Sequence, residues 1–475
     1  MINGTTLLNR GWPAGPLIGD ALRLVKTLKR DGWNEPDLLA LLDAAWSAPD
    51  ALTADSPAFA LAEVIRDVQR PAPPVPVLRD TPLDAPVWGR EIIDEGALDQ
   101  LNRAMRLPVT AGGALMPDAH IGYGIPIGGV VAMEGAVAPY MVGVDIACRM
   151  MLSVFPAPAS DVFGHVSRTD SLARVLKDET RFGIGAKFGL YERRTHDVLD
   201  DPDWDATKQL RGLKDKAHAQ LGTSGTGNHF VDAGPLSVGD AGAAALGIEP
   251  GTYLAVLTHS GSRGVGATIA NTFSRLAREV TPLPRGYEAL AWLPLDHPAG
   301  AEYWTSMNLA GRYASACHHV IHRHIAKRLG ERPIAQVENH HNFAWLETWQ
   351  ERDVVVHRKG ATPAHAGVLG IVPGSQGHPS YVVRGLGSER SIHSASHGAG
   401  RQMSRKRAIH TIPKAERDAW LRERGVTLLA GGLDEAPQAY KDINEVLALQ
   451  TDLIEPIAQF TPKLVLMAGD GKSEG

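Results

Sequence analysis

Cysteine is scarce in this chain: 475 residues contain only two, too few for a disulfide framework. Long apolar runs are missing as well, which excludes a bilayer-spanning helix. The Met-Ile-Asn-Gly start lacks the charged and apolar regions of a secretory signal, so the expectation is an uncleaved cytoplasmic protein with no membrane partner. Neither sign of charge dominates. A formal net charge of −5 argues against wholesale coating of nucleic acid, though it leaves room for a local basic patch. What is plentiful is glycine and proline, 50 and 32 residues, which predicts many turns and sites lined by backbone. The proportions of 44% hydrophobic and 21% charged residues are those of an ordinary globular protein. The length exceeds what one core supports, so an appendage or a second domain is expected.

Residues 1–70 read as a small helical bundle. Ile18, Ala21, Leu22, Val25 and Leu28 recur at helical spacing, as do Leu38, Leu41, Leu42 and Ala45, then Leu61, Val64, Ile65 and Val68; Ser56-Pro57 is a start signal for the third helix. With no His and no Cys, this part suits packing or docking better than catalysis. Residues 71–90, with prolines at 71, 73, 74, 76, 82 and 86, read as a stiff connector. From there to residue 475 short apolar runs broken by glycine predict an α+β domain. Met116 to Gly129 is expected to be a loop folded against strands such as Gly129 to Met133, with 151–155, 253–258 and 334–338 also strands and Asp205 to Leu221 a helix.

The chemistry centres on Val142-Gly-Val-Asp145-Ile-Ala-Cys148. A carboxylate and a thiolate three residues apart can share a metal only if the chain bends, which Gly143 permits. His229 after Leu221-Gly-Thr-Ser-Gly-Thr-Gly-Asn228, His259 before Ser-Gly-Ser-Arg263-Gly264, and His341 complete a set large enough for two adjacent ions. Taken singly, each is an ordinary hydrogen-bonded histidine. The denser cluster at Cys317, His318, His319, His322 and His324 is read instead as a helix with Cys317 in the core and His318 and His322 on its polar flank, without metal. Two small-residue loops, Ile371-Val-Pro-Gly-Ser-Gln-Gly377 and His397-Gly-Ala-Gly-Arg401, can close on phosphate through backbone N–H groups. Arg384, Arg390, Arg401, Arg405, Lys406 and Arg407 form the expected basic patch, the last three fitting a solvated helix face equally well. Asp118 and His120 are candidates for contacts behind the ligands or to substrate. His397 fits either a nucleophile toward phosphorus or a simple phosphate contact.

These residues fall in blocks that resemble the RtcB family of RNA-splicing ligases: Met116-Pro-Asp-Ala-His120, Gly143 to Cys148, Leu221 to Phe230, His259 to Gly264, His341-Asn342, His357 to Ala361, Pro373-Gly-Ser375, Ser396 to Arg401 and Ala439-Tyr-Lys-Asp-Ile443. The resemblance implies a compact, irregular α+β fold with a deep cleft holding manganese, normally two ions, on Asp145, Cys148, His229, His259 and His341. It implies a GTP-dependent ligase in RNA repair or tRNA splicing that joins RNA 3′-phosphate or 2′,3′-cyclic phosphate ends to 5′-hydroxyl ends. His397 would carry GMP, with Arg263 and Asp118 important to activity. The nucleotide would meet Asn228, Phe230, Asp232, Asn342, Pro373, Gly374, Ser375, Gln376, Ser380, Gly398, Ala399 and Gly400. The chain departs from the family pattern at Arg149 for glycine, Asp232 for glutamate, Gln376 for methionine, and His393 and Ala395 for cysteines. Where the family ends in Val-Lys-Gly the chain reads Met467-Ala-Gly-Asp-Gly-Lys472, so that either Lys472 replaces the family's guanine-contacting lysine from a shifted position or guanine selectivity is lost. Two other readings are a metal-dependent RNA-end phosphoesterase or nucleotidyltransferase with altered nucleotide use, and a noncatalytic sensor of RNA ends.

Overall fold

Four neighbouring strands set the geometry of the molecule's centre. In the computed structural model, which describes residues 1–69 and 73–469, Phe230–Val238, Gly251–Ser260, Arg149–Pro158 and Ala335–His340 lie side by side and antiparallel. They form one part of a nine-stranded sheet that continues from Phe230–Val238 through Ile454–Phe460 and Ser380–Gly385 to Leu369–Val372. Leu464–Met467 also pairs with Phe230–Val238, and Thr427–Ala430 joins it in parallel.

Both faces of these strands are covered, which is why their sequences run apolar rather than alternating. On one face Met150, Leu152 and Val154 pack with Ala255, Leu257 and Ile371. On the other, Phe155, Val231 and Val256 receive Ile321 and Ile325 from the long helix Pro298–Leu329. That helix packs in turn with Arg263–Val280 and Lys208–Gln220 around Trp204, Phe273, Tyr303 and Tyr313. A second sheet of four antiparallel strands orders Thr110–His120, Ile127–Met133, Arg352–Lys359 and Asn342–Trp349. The class is α+β, as the glycine-broken texture predicts.

The segment read as a loop from Met116 is partly strand. Thr110–His120 runs through Pro117 and Asp118, with its register to Ile127–Met133 shifted between Leu115 and His120. The ladder is interrupted where proline has no N–H to give, so the strand tolerates Pro117.

Contacts divide the chain at Pro74 into two compact units. The first holds the predicted helices as Pro16–Arg30, Glu35–Ser47 and Phe59–Gln69, preceded by a short helix, Gly4–Leu8. Proline at the first position starts one helix, and the Asn34 side chain accepts from Asp37 N to start the next. Leu17, Ala21, Val25, Leu38, Leu42, Leu61 and Ile65 close on Leu7 and Trp12 as a core. Val64 and Val68, assigned to that stripe by spacing, are exposed instead. From residue 73 to 86 the Pro-rich stretch is in neither helix nor strand, and its later part is hydrogen-bonded into the second unit, Arg79 N to Arg106 O at 2.8 Å and Trp88 N to Leu115 O at 3.0 Å. Residues 70–72 of that stretch lie outside the described residues.

Candidate active site

Strand register builds the centre. Cys148 immediately precedes Arg149–Pro158, His229 precedes Phe230–Val238, His259 is next to last in Gly251–Ser260, and His341 follows Ala335–His340. His259 pairs with both Phe230 and Met150, and Arg149 with both Ser260 and His340. Adjacent strands are about 4.8 Å apart, so all four side chains converge over one end of the sheet.

Asp145 arrives from a turn. Cys148 N donates to Asp145 O at 3.2 Å, Ala147 N to Asn342 O at 2.7 Å, and Ser262 Oγ to Ile146 O at 2.6 Å. The bend expected at Gly143, where φ is +99°, is completed at Ala147 with φ +57°. Two glycines let other backbone come close. A Cβ on Gly261 would fall 2.1 Å from Asp145 Oδ1, and one on Gly225 would fall 1.7 Å from His229 Nδ1.

Cys148 Sγ lies 3.0 Å from His259 Nε2 and 3.3 Å from His229 Nε2; His259 Nε2 is 3.1 Å from His341 Nε2, and His229 Nε2 is 2.9 Å from Asp145 Oδ2. Two trios of donors result, Asp145–Cys148–His229 and Cys148–His259–His341, with the sulfur common to both. His259 Nδ1 is 2.9 Å from the Asn228 carbonyl, which only a donor satisfies, so the ring's lone pair faces inward on Nε2. Burial lowers the His259 pKa to about 3, aided by the neighbouring His229, and drives that of His341 well down. Burial and the Asp145 charge push the Cys148 thiol up. Burial opposes ionisation of Asp145 too, but His229 holds its carboxyl at about 2. Sulfur, imidazole and carboxylate lone pairs thus converge at hydrogen-bond distances, the cysteine and histidines buried and Asp145 partly open to solvent. Such a donor set fits divalent cations, which reverse the burial penalty on the thiolate.

His397 stands beside this cage, its ring 4.8 Å from that of His341. Asp118, fully buried, points Oδ2 at His397 Nδ1 at 2.7 Å and accepts from the backbone N–H of His397 at 3.1 Å and Gly398 at 3.3 Å. With its Nδ1 proton held by the carboxylate, His397 presents Nε2 as a lone-pair nitrogen. Lys441, to which spacing assigned no role, brackets Asp118 from behind: its Nζ donates to Pro117 O at 3.0 Å and Ala119 O at 2.8 Å. A lysine in an otherwise polar Tyr-Lys-Asp stretch gives no sequence signal of burial.

The two small-residue loops meet, Ala399 N donating to Pro373 O at 3.1 Å. Gly374 N donates to Ser380 Oγ at 3.3 Å, and Ser375 Oγ lies 2.7 Å from His378 Nδ1. Asn228 contributes its carbonyl to His259, Phe230 sits with its ring 5.6 Å from that of His259, and the Asn342 side chain accepts from Gly360 N at 2.8 Å. Gly400 O accepts from Lys441 N at 3.0 Å. Gln376 turns inward, Nε2 to Met467 Sδ at 3.4 Å, and Asp232 is buried against the Leu466 backbone, where desolvation raises its carboxyl pKa. Arg263, buried at the head of its helix, donates to Gly183 O at 3.0 Å and Thr223 Oγ1 at 3.3 Å. Leu464–Met467 leads the chain past Phe230, but Lys472 lies outside the described residues.

Two expectations change. Half of the basic patch is paired internally: Arg401 and Arg405 pair with Glu435, Arg405 also with Asp434, and Arg384 with Glu455, while Arg390, Lys406 and Arg407 are exposed. Acids at 434, 435 and 455, distant in sequence, neutralise these arginines. His318 and His322 are not on a polar flank but fully enclosed, since sheet covers the helix on that side. Both bond Thr258 Oγ1, at 2.6 and 2.8 Å; His318 also reaches Ser260 O and His322 Ser153 Oγ.

Fold and site together define an α+β protein with a cysteine-centred cluster of donors that could hold a metal ion, next to a carboxylate-held imidazole. Residues 100–468 match the family model described as tRNA-splicing ligase RtcB. Over 412 residues the chain is 31% identical to the RNA-splicing ligase RtcB of Escherichia coli K12, covering 79% of this chain and 95% of that protein. It is 32% identical to the RNA-splicing ligase RtcB of Mycobacterium tuberculosis (73% and 94% covered) and 31% identical to the tRNA-splicing ligase RtcB of Nanoarchaeum equitans (74% and 87%). The chain belongs to the RtcB family.

Proposed function

We propose that this protein is a GTP- and manganese-dependent RNA ligase that joins RNA 3′-phosphate or 2′,3′-cyclic phosphate ends to 5′-hydroxyl ends, acting in RNA repair or tRNA splicing. The observation that carries the reading is the Asp118–His397 pair set against the donor cage, because it combines an oriented nucleophile with a place for charge-neutralising cations. Asp145, Cys148, His229, His259 and His341 would hold the ions, whose charge stabilises phosphoryl oxygens. One thiolate and three imidazoles suit zinc as well as manganese, so both metals belong in the test.

In the first step the His397 Nε2 lone pair forms a bond to the α-phosphorus of GTP, and the bond from that phosphorus to the bridging oxygen breaks, releasing pyrophosphate. Asp118 keeps the Nδ1 proton and offsets the positive charge gained by the ring. A 3′-phosphate oxygen of RNA then attacks the carried phosphorus, returning the N–P electron pair to Nε2. Finally the 5′-hydroxyl oxygen attacks the activated 3′-phosphorus and gives up its proton to solvent, while the bond from that phosphorus to the bridging guanylate oxygen breaks and GMP leaves. Water opens a cyclic phosphate beforehand. Asn228, Phe230, Asn342, Pro373, Gly374, Ser375, Ser380, Gly398, Ala399 and Gly400 surround the proposed nucleotide position, with Asp232 and Gln376 behind it.

Incubation with α-labelled GTP and manganese, or zinc, should give an acid-labile protein adduct that His397→Ala abolishes. No adduct, with hydrolysis of 2′,3′-cyclic phosphate retained, would instead identify an RNA-end phosphoesterase.

A further inference from the structure

The stretch from Arg181 to Arg194 has no part in the cage, yet it hangs from the cage's supports. Gly183 N donates to Gly225 O at 3.2 Å and Ser224 N to Arg181 O at 2.8 Å, tying it to the turn that leads into His229. Arg263 donates to Gly183 O at 3.0 Å. Midway, Phe188 is buried as a plug, its N–H bonded to Ala219 O at 2.8 Å and its ring 4.2 Å from the Arg194 guanidinium.

Such a fixed base makes the exposure of the tips unexpected. Tyr191 is 100% exposed, Leu190 69% and Ile184 57%, three large apolar side chains within eight residues. Lys187 is exposed between them; among the described residues it makes no direct ion pair, and the nearby Asp215 carboxylate, which feels its charge, is held by Arg193 at 2.7 Å. A protein partner usually meets a contiguous apolar face. Here Ile184 is separated along the chain from Leu190 and Tyr191 by Gly185, Gly189 and the buried Phe188, with the exposed Lys187 between them. Flat rings and apolar tips beside a positive charge are how proteins hold unpaired bases while following a phosphate backbone.

We propose that the Gly183–Tyr191 loop is a binding lip for single-stranded RNA, with a base stacked on Tyr191 and a backbone phosphate near Lys187, so that it holds the strand leading to a reacting end. The proposal rests on the RNA ligase reading for its partner and extends it to the strand beyond the end.

The test is binding of a fluorescein-labelled single-stranded RNA with a 3′-phosphate to the full chain, by anisotropy across a salt series. Tyr191→Ala should weaken binding by about tenfold, the effect of losing one stacked base, and Tyr191→Phe should restore it. Lys187→Ala should lower the slope of log affinity against log salt by about one. Tyr191 and Lys187 lie on the surface, so folding is not at stake. Equal affinity for wild type and Tyr191→Ala, or no binding of single-stranded RNA by wild type, would overturn the lip. The GTP adduct on wild-type protein is scored without RNA, so failure of the ligase reading is seen separately from failure of this one.

Discussion

Cys148 contributes more to the site than any other residue, because its sulfur belongs to both donor trios. Replacing it with serine removes the softest donor from both at once. Cys148→Ser should lose at least about tenfold in metal affinity, the scale of losing even an outer partner of a ligand; elemental analysis after dialysis against limiting metal measures it. Lys359 provides a second residue-level prediction. Its ammonium donates to the carbonyls of Tyr123 and Tyr140, bridging the loop after Asp118 to the helical turn before Asp145. Burial pulls its pKa from 10.5 to about 7. Between those values the unfolded chain holds the proton and the folded one has released it. Stability should therefore rise with pH across that window, by up to about 1.4 kcal/mol per unit. Urea unfolding of wild type and Lys359→Met at several pH values isolates the slope, which the variant should lack.

At the level of elements, the notable junction is between the helix Pro298–Leu329 and the strand that carries His259. Thr258, one residue before that ligand, is bonded to His318 and His322 inside the core. Burial keeps both rings neutral, with pKa values near 3, so the network works through hydrogen bonds rather than charge. Thr258→Val preserves the shape but strands two buried ring nitrogens. It should cost about 2 kcal/mol or more of stability, read from the denaturation midpoint. A loss near zero would mean that the rings find other partners. The same junction shows why the histidine cluster misleads as sequence. Helical spacing correctly separates Cys317 from solvent but cannot reveal that a sheet covers the neighbouring side as well.

For the whole molecule, each unit has its own apolar core, and the division falls in a Pro-rich stretch. A chain beginning at Val75 should fold and bind metal with the full-length stoichiometry, testable by calorimetric titration; loss of metal binding would show that the first 74 residues support the site. The helices of that first unit were legible because periodicity and start signals are local. So were the glycine-flanked motifs as blocks resembling the family's, although His229, His259 and His341 taken singly read as ordinary hydrogen-bonded histidines. By itself, then, the sequence determined the α+β class, the helical start and the candidate groups for the proposed chemistry. Only tertiary structure decided that four strand ends in antiparallel register gather those groups. It also decided that Asp118 lies on a strand where it can hold His397, that Lys441 and Lys359 are buried, and that Arg384, Arg401 and Arg405 of the basic patch are spent on acids near the C-terminus. The reason is physical: propensity and periodicity act over a few residues, whereas strand pairing, burial and ion pairing join residues tens to hundreds of positions apart.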